Sequence, residues 1–215
     1  MKACLGRGLY GMVDLSPSKP AVTPRSLYEP LWAAGVSTLQ LRMKAGSAAA
    51  MLAVLDELLA TKPAGTRIVV NDRLDVALAA GADGVHLGQD DLPLAAARSV
   101  CARYAAPGFV LGISTHSEAQ ALAAIEGGAD YIALGPIFAT HSKNNPDPVV
   151  GIERLRSVCE KSPIPVIAIG GITIERVPDI AAAGAHGAAI IAAVNHAPDV
   201  RAAAKAVQRC FVQNR

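Results

Sequence analysis

The chain has 215 residues, a length that fits one domain with a full hydrophobic core. Hydrophobic residues make up 52% and charged residues 18%, a balance that excludes a disordered chain, and the 4% of aromatic residues leaves the core to Ala, Val, Leu and Ile. The formal net charge of +2 gives no reason to expect nucleic acid or an anionic membrane as a partner.

Short apolar runs alternate with longer, Ala-rich segments of helical period. The runs predict strands at 9–14, 38–43, 67–71, 84–88, 109–114, 131–136, 165–170 and 187–193. The segments predict helices at 25–34, 47–61, 73–80, 93–105, 117–127, 150–161, 174–183 and 198–212. Eight βα units indicate the α/β class and a (β/α)8 TIM barrel, with residues 1–215 as a single domain. An open doubly wound sheet is the alternative.

A weak internal repeat supports the barrel. Glycine closes the predicted helix before each even-numbered strand, at Gly35, Gly81, Gly128 and Gly184. Glycine after a helix accepts the left-handed backbone of a C-terminal cap. The repeat therefore predicts four returns from helix to strand.

The spacing of the cysteines and the lack of a signal peptide or membrane span indicate where the protein is located. Cys4, Cys101, Cys159 and Cys210 include no Cys-x-x-Cys pair, which favours reduced thiols over a zinc site or a disulfide framework. The first residues lack the apolar core of a signal peptide, and no apolar stretch approaches the ~18 residues of a membrane span. We expect a cytoplasmic protein with no nucleic-acid or membrane partner. Its oligomeric state is open, and a homo-oligomer is compatible with a barrel of this size.

Cationic and amide side chains end the second predicted strand. Gln40, Arg42 and Lys44 are spaced by two, so on a strand they face the same way, inward at the C-terminal mouth of a barrel. A guanidinium and an ammonium both suit a diphosphate. An edge strand with a solvated cationic face is the alternative. Leu41 and Met43 on the opposite face would pack against helices, which favours the binding site.

Carboxylates follow the next two predicted strands. Asp72 comes directly after Asn71, and Asp91 closes Gln89-Asp90-Asp91. Neighbouring parallel strands lie ~4.8 Å apart, so Asp72 and Asp91 can converge on one ion. Carboxylates with phosphates and water are typical ligands of Mg²⁺. Capping of the following helices is the alternative for each aspartate alone.

Two later segments resemble parts of barrel mouths. Lys143 lies in a long loop at 138–148 after the sixth strand, a length that is typical of lids. Gly170-Gly171 and the end of the eighth strand lie where many barrels bind a phosphate through backbone amides. The chain therefore has two predicted anion sites, one assisted by a metal and one built on backbone.

Six motifs together carry a family resemblance. They are Gln40-Leu41-Arg42-Met43-Lys44, Asn71-Asp72-Arg73, His86-Leu87-Gly88-Gln89-Asp90-Asp91, Gly112-Ile113-Ser114-Thr115-His116, Gly135-Pro136-Ile137-Phe138-Ala139-Thr140 and Ala168-Ile169-Gly170-Gly171-Ile172. In this order, from about residue 9 to 200, the chain resembles thiamine phosphate synthases. That family consists of (β/α)8 enzymes, in agreement with the strand pattern.

The resemblance implies an activity and a set of site residues. The reaction is a Mg²⁺-dependent transfer in which a hydroxymethylpyrimidine diphosphate ionises to a carbocation, joins a thiazole phosphate and releases diphosphate. Asp72 and Asp91 would hold Mg²⁺. The pyrimidine diphosphate would be bound by Gln40, Leu41, Arg42, Met43, Lys44, Asn71, Ser114 and Lys143, of which Arg42, Lys44, Ser114 and Lys143 would be catalytic. The thiazole phosphate would be bound by Thr140, His141, Ser142, Gly171, Ile191 and Ala192.

The chain departs from the family pattern at the end of the eighth strand. Ile191 is followed by Ala192-Ala193, where the family usually has Ser-Ala. A serine hydroxyl toward the thiazole phosphate is therefore missing, and the backbone amides of Ile191 and Ala192 are expected to bind it. The sequence does not tell whether the thiazole carries a carboxylate.

Two other functions are compatible with the sequence. A related thiazole tautomerase shares the barrel, and its general acid/base histidine would align with His116. That branch needs no metal, whereas this chain retains Asp72, Asp91 and Lys143. A catalytically silent regulator that binds a thiamine precursor is the other alternative, suggested only by the altered end of the eighth strand.

Overall fold

The computed structural model describes residues 5–15, 23–140 and 147–212. Within them, eight parallel strands form a closed barrel in chain order, and β8 pairs with β1. The strands are β1 (Gly8–Asp14), β2 (Thr38–Arg42), β3 (Arg67–Asn71), β4 (Gly84–Leu87), β5 (Val110–Thr115), β6 (Tyr131–Leu134), β7 (Val166–Ile169) and β8 (Gly187–Ala189). The predicted (β/α)8 barrel is confirmed. The open sheet is excluded because β8 pairs with β1, and the edge-strand alternative is excluded because β2 pairs with both β1 and β3.

Helices follow the strands and cover the barrel. They are α1 (Pro24–Ala33), α2 (Ala48–Thr61), α3 (Leu74–Ala80), α4 (Leu94–Tyr104), α5 (Glu118–Glu126), α6 (Ile152–Lys161), α7 (Val177–Ala182), α8 (Ala192–Asn195) and α9 (Val200–Val212). The side chains of Thr23, Ser47 and Ser117 cap α1, α2 and α5. In the described parts of the chain, no helix is long and apolar enough to cross a membrane.

The four predicted glycine returns are present. Gly35, Gly81, Gly128 and Gly184 have φ angles of 82°, 68°, 87° and 88°, all in the left-handed region. The free backbone of glycine at these points ends the helix and turns the chain into the next strand.

The eighth strand is shorter than the predicted range 187–193, and the predicted seventh helix at 174–183 consists of a 3₁₀ turn followed by a short α-helix. β8 ends at Ala189, and the following alanines belong to the short helix α8. Pairing between β1 and β8 stops at Tyr10 and Ala189. Beyond this point the side chain of Asn195 donates to the backbone oxygen of Met12 at 2.8 Å, so a side chain takes a carbonyl that a longer β8 would have used. A 3₁₀ turn at Ile174–Arg176 precedes α7.

Side chains alternate between two hydrophobic cores. Leu9, Val13, Leu39 and Leu41 belong to the outer core between strands and helices. A smaller cluster fills the barrel interior and consists of Leu5, Tyr10, Met12, Val69, Val110, Tyr131, Ala133, Ile167 and Ala189. Polar residues of the same parity as this inner cluster therefore point into the barrel.

Candidate functional site

The cationic end of β2 has the predicted orientation. Gln40 shares the parity of the inner face and is 4% exposed, while Leu41 is fully buried in the outer core. Met43 is partly buried against the outer core as well. The side chains of Leu41 and Met43 thus lie away from the barrel interior, so a substrate would meet their backbone.

Asp14, which was not predicted to be a site residue, holds the side chain of Arg42 in place. Asp14 lies beside Arg42 in the β1–β2 register. Its oxygens accept from Arg42 Nη1 at 3.1 and 3.2 Å, and Asp14 is only 4% exposed. A nearly buried carboxylate fixes the guanidinium at the mouth through charge-assisted hydrogen bonds. The position of Asp14 at the last residue of β1 was the available signal.

Asp72 lies in a strained turn directly after β3. Its φ angle of 64° is the only positive value at a non-glycine residue among the described residues. The amide of Arg73 donates to the carbonyl of Asn71 at 2.8 Å, which makes Asp72 the centre of a γ-turn, and the Asp72 amide donates to the carbonyl of His86 at 2.8 Å. The Asp72 carboxylate accepts from Lys44 Nζ at 2.8 Å. Backbone strain of this kind is often retained at functional sites.

Asp91 faces Asp72 from the loop after β4. Burial raises the pKa of Asp91, the amide of Gly88 opposes the rise with a hydrogen bond of 2.6 Å, and the Asp72 carboxylate adds to it. The side chains of Asp72 and Asp91 are therefore close to each other, and their role as a metal site stays a prediction.

Capping, the alternative role of these aspartates, is wrong. The N-cap residue of α3 is Arg73 and that of α4 is Pro93, and neither helix has a side-chain hydrogen bond at its cap. The aspartates precede these helices in the sequence without contributing to their first turns.

The carboxylate pair suits Mg²⁺ better than a metal held by protein alone. Among the described residues, no three His, Cys, Asp or Glu side chains are grouped as metal ligands. Mg²⁺ typically takes one or two carboxylates and completes its shell with water and substrate phosphates. Asp72 and Asp91, with the Lys44 ammonium beside them, match this chemistry.

A chain of hydrogen bonds that was not predicted from the sequence crosses the barrel interior. Gln40 Nε2 donates to Tyr10 Oη at 3.1 Å, and Tyr10 Oη lies 2.7 Å from Tyr131 Oη. Tyr131 Oη lies 3.0 Å from His86 Nδ1, and His86 Nε2 lies 2.9 Å from Ser114 Oγ. His86 belongs to one of the family motifs, but the sequence assigned it no role. Its inward parity on β4 was the only sequence signal for this role.

Burial keeps the interior of this chain uncharged. It lowers the pKa of His86 to about 4 and raises the pKa values of Tyr10 and Tyr131 above their ordinary value. His86 is therefore a neutral imidazole at neutral pH, with one donor nitrogen and one acceptor nitrogen.

The low pKa of His86 predicts a pH dependence of stability. The ordinary pKa is 6.5 and the folded value is about 4, so the unfolded chain binds the additional proton between these values. The contribution is fully present above pH 6.5 and is lost as the pH falls toward 4, amounting to roughly 3 kcal/mol. Denaturant unfolding of the protein and of His86→Gln at pH 7 and 4.5 measures it. The stability difference between them should shrink at pH 4.5, and parallel pH profiles would contradict the assignment.

Only some of the residues that the sequence predicts to bind the thiazole phosphate lie in the described part of the chain. Thr140 is half-buried, while His141, Ser142 and Lys143 lie outside the described residues. Gly171 has a φ angle of 64°, and a Cβ there would lie 2.4 Å from the carbonyl oxygen of Ala139. Glycine is therefore required where the loop after β6 packs against the end of β7. Ile191 and Ala192 stand at the start of α8.

His116, the candidate acid/base of the tautomerase alternative, follows β5. Its Nδ1 lies 2.6 Å from the carbonyl oxygen of Gly135, so this nitrogen carries the proton and donates it. Its Nε2 lies 3.6 Å from a carboxylate oxygen of Asp147. These contacts tie the end of β5 to the loop after β6.

Comparison with known proteins gives one consistent result. The family model described as thiamine monophosphate synthase matches residues 17–194. The chain is 46% identical over 173 residues to the thiamine-phosphate synthase of Methanospirillum hungatei, covering 80% of this chain and 82% of that protein. It is 44% identical over 187 residues to the thiamine-phosphate synthase of Koribacter versatilis, covering 86% and 87%.

A solved structure agrees over nearly the full length. Thiamine phosphate pyrophosphorylase from Pyrococcus furiosus superposes with a TM-score of 0.83 and 33% identity, covering 96% of each chain. The family model spans the strands from β2 to β8, and the structural match covers nearly the whole barrel. The chain belongs to the thiamine monophosphate synthase family.

Proposed function

We propose that the chain forms thiamine phosphate from a hydroxymethylpyrimidine diphosphate and a thiazole phosphate at the C-terminal mouth of the barrel. Membership of the synthase family supports this reaction. The observation that carries the proposal is the convergence of Asp72 and Asp91 beside Lys44. Carboxylates for a divalent cation and an ammonium for phosphate oxygens are what a leaving diphosphate requires.

The proposed chemistry is dissociative and needs no covalent nucleophile. The bond between the pyrimidine methylene carbon and the diphosphate oxygen breaks, and its electron pair leaves with the diphosphate. The thiazole nitrogen then donates its lone pair to the methylene cation. Held by Asp72 and Asp91, Mg²⁺ would supply positive charge to the diphosphate as it leaves.

The protein groups would act by position and charge. Arg42, fixed by Asp14, and Lys44, bonded to Asp72, place two cations at the same side of the mouth. We assign them to the diphosphate, together with Lys143. Gln40, Asn71 and Ser114 are assigned to the pyrimidine diphosphate. Because these groups are oriented before substrate arrives, little reorganisation accompanies charge separation.

A second subsite would hold the thiazole phosphate. We assign it to Thr140, His141, Ser142 and Gly171, with the backbone amides of Ile191 and Ala192. The remaining parts of the proposal are a cytoplasmic location, small-molecule substrates as the main partners, and one barrel domain over residues 1–215.

The substitution Ala192→Ser tests this subsite. Ala192 is exposed at the start of α8, so a serine has room there. An added hydroxyl should donate to the phosphate and lower KM for the thiazole phosphate up to about fivefold, the equivalent of about 1 kcal/mol. Steady-state kinetics with each substrate varied in turn measure this. A higher KM for the thiazole phosphate would mean that Ala192 does not face the subsite.

The function is tested by product analysis. Purified protein with both precursors should yield thiamine phosphate and diphosphate in equal amounts, and neither precursor alone should yield them. Isomerisation of a carboxythiazole phosphate supplied alone, without condensation, would instead identify a tautomerase. Binding of the thiazole phosphate without any turnover would identify a regulator.

A further inference from the structure

We propose that Tyr10, Tyr131 and His86 form a positioning relay that fixes the direction of hydrogen bonding at Gln40 and Ser114, the two ends that meet the pyrimidine. This inference rests on the proposed function for the identity of the substrate. The three residues need not touch substrate themselves. Their role is to decide which end of the site donates a hydrogen bond and which end accepts one.

The relay is continuous and buried. It joins β2, β1, β6, β4 and β5 through four contacts of 3.1, 2.7, 3.0 and 2.9 Å. Tyr10 is 4% exposed, Tyr131 0% and His86 6%, among aliphatic side chains of the inner core. Buried polar groups must be paired, and Trp32 Nε1 is the one buried side-chain polar atom without a partner among the described residues. The three central residues, Tyr10, Tyr131 and His86, are therefore each paired with a neighbour on both sides.

The donor at one end determines the direction of every bond. The side-chain nitrogen of Gln40 can only donate, so Tyr10 accepts from it and gives its own proton to Tyr131. Tyr131 in turn donates to Nδ1 of His86, so Nδ1 accepts and the imidazole proton stands on Nε2. Nε2 then donates to Ser114 Oγ.

The two ends of the relay become complementary. With its nitrogen committed to Tyr10, Gln40 presents its side-chain oxygen as an acceptor. With its oxygen lone pair engaged by His86, Ser114 presents its hydroxyl proton as a donor. An aminopyrimidine has an amino donor and ring-nitrogen acceptors, and it fits this pair. A ring with an oxo group in place of the amino group presents an acceptor where the site also presents one, and should be rejected because unpaired polar groups are costly.

Kinetics of Tyr131→Phe test the relay against a matched control. The control is Tyr28→Phe, because Tyr28 is 1% exposed, belongs to the outer core rather than the barrel interior, and donates to Glu57 at 2.6 Å. Both variants lose one buried hydroxyl. Tyr131→Phe should lower kcat/KM for the pyrimidine diphosphate by about tenfold or more and reduce discrimination against the oxo analogue, with KM for the thiazole phosphate unchanged. Tyr28→Phe should lower stability and leave both kinetic constants unchanged.

Nitrogen-15 NMR of the histidine side chains provides a readout that does not depend on activity. The His86 signal is assigned by its loss in His86→Gln. It should show a protonated Nε2 and an unprotonated Nδ1, and Tyr131→Phe should convert it to a mixture of tautomers. Tyr10→Phe serves as a second interruption of the relay if Tyr131→Phe does not fold.

Two outcomes would overturn the relay. A protonated Nδ1 of His86 in the unsubstituted protein would mean that every hydrogen bond of the relay runs in the opposite direction. Equal kinetic losses in Tyr131→Phe and Tyr28→Phe would mean that both hydroxyls only stabilise the fold. If the unsubstituted protein formed no product, the proposed function would fail, and the tautomer measurement would still decide the direction of the relay.

Discussion

Replacing Asp91 with asparagine should lower turnover roughly 100-fold or more, because a metal ligand that stabilises the leaving diphosphate is worth several kcal/mol. The fold should be retained. The oxygen of an asparagine side chain can still accept from the Gly88 amide, the bond of 2.6 Å that shapes the loop after β4. The loss should therefore appear as a higher Mg²⁺ requirement and a lower kcat. Initial rates over a Mg²⁺ titration measure both.

Asp90→Asn is the matched control for this change. Asp90 is the exposed neighbour of Asp91 in the same loop, and the substitution removes the same charge. Its rates and its Mg²⁺ requirement should equal those of the unsubstituted protein. An Asp91→Asn variant that keeps its full rate at limiting Mg²⁺ would show that Asp91 is not a metal ligand.

Arg42→Gln should lower both activity and stability. Activity should fall about 100-fold, because a preorganised cation at the diphosphate is lost. Stability should fall by about 1–3 kcal/mol, because Asp14 is 4% exposed and would keep a charge without this partner. Arg42 is 26% exposed in its side chain, which moderates the effect through solvent screening. Steady-state rates and denaturant unfolding measure the two losses.

The double variant Asp14→Asn/Arg42→Gln separates the two losses. Without either charge, the buried end of β1 should regain most of the lost stability, while activity should remain low. Arg25→Gln is the control for removing an arginine, since Arg25 pairs with Glu29 at the surface with side-chain exposures of 62% and 55%. Its effect on stability should be small, because both partners of this ion pair are screened by solvent. Recovery of activity together with stability in the double variant would contradict a catalytic role for Arg42.

The barrel was predictable because two local periods determine it. The alternation of short apolar runs with helical segments sets the eightfold repeat, and the spacing by two of Gln40 and Arg42 sets their common orientation. The end of β8 was not predictable in this way, because Ala192 and Ala193 are compatible with a strand and with a helix. The competition for the Met12 carbonyl by Asn195, 183 residues away in the sequence, decides against the strand.

The parts of the candidate site that follow from residues at the ends of neighbouring strands were predictable. The parts that depend on contacts between strands far apart in the sequence were not. A carboxylate after each of two consecutive strands indicated that Asp72 and Asp91 would converge. The relay depends instead on strands that are far apart in the chain, since Tyr10 and Tyr131 meet across 121 positions. On β1 and β6 the residues of both faces are largely apolar, so the sequence of these two strands does not reveal that Tyr10 and Tyr131 point inward.

The most direct test of this account is the formation of thiamine phosphate by the purified protein in the presence of Mg²⁺ and in the presence of a chelator. The account predicts thiamine phosphate and diphosphate in equal amounts with Mg²⁺, and almost none with chelator until Mg²⁺ is restored in excess. Equal rates in both conditions would contradict the role assigned to the carboxylates of Asp72 and Asp91. The absence of product from folded protein with both precursors and Mg²⁺ would contradict the proposed function itself.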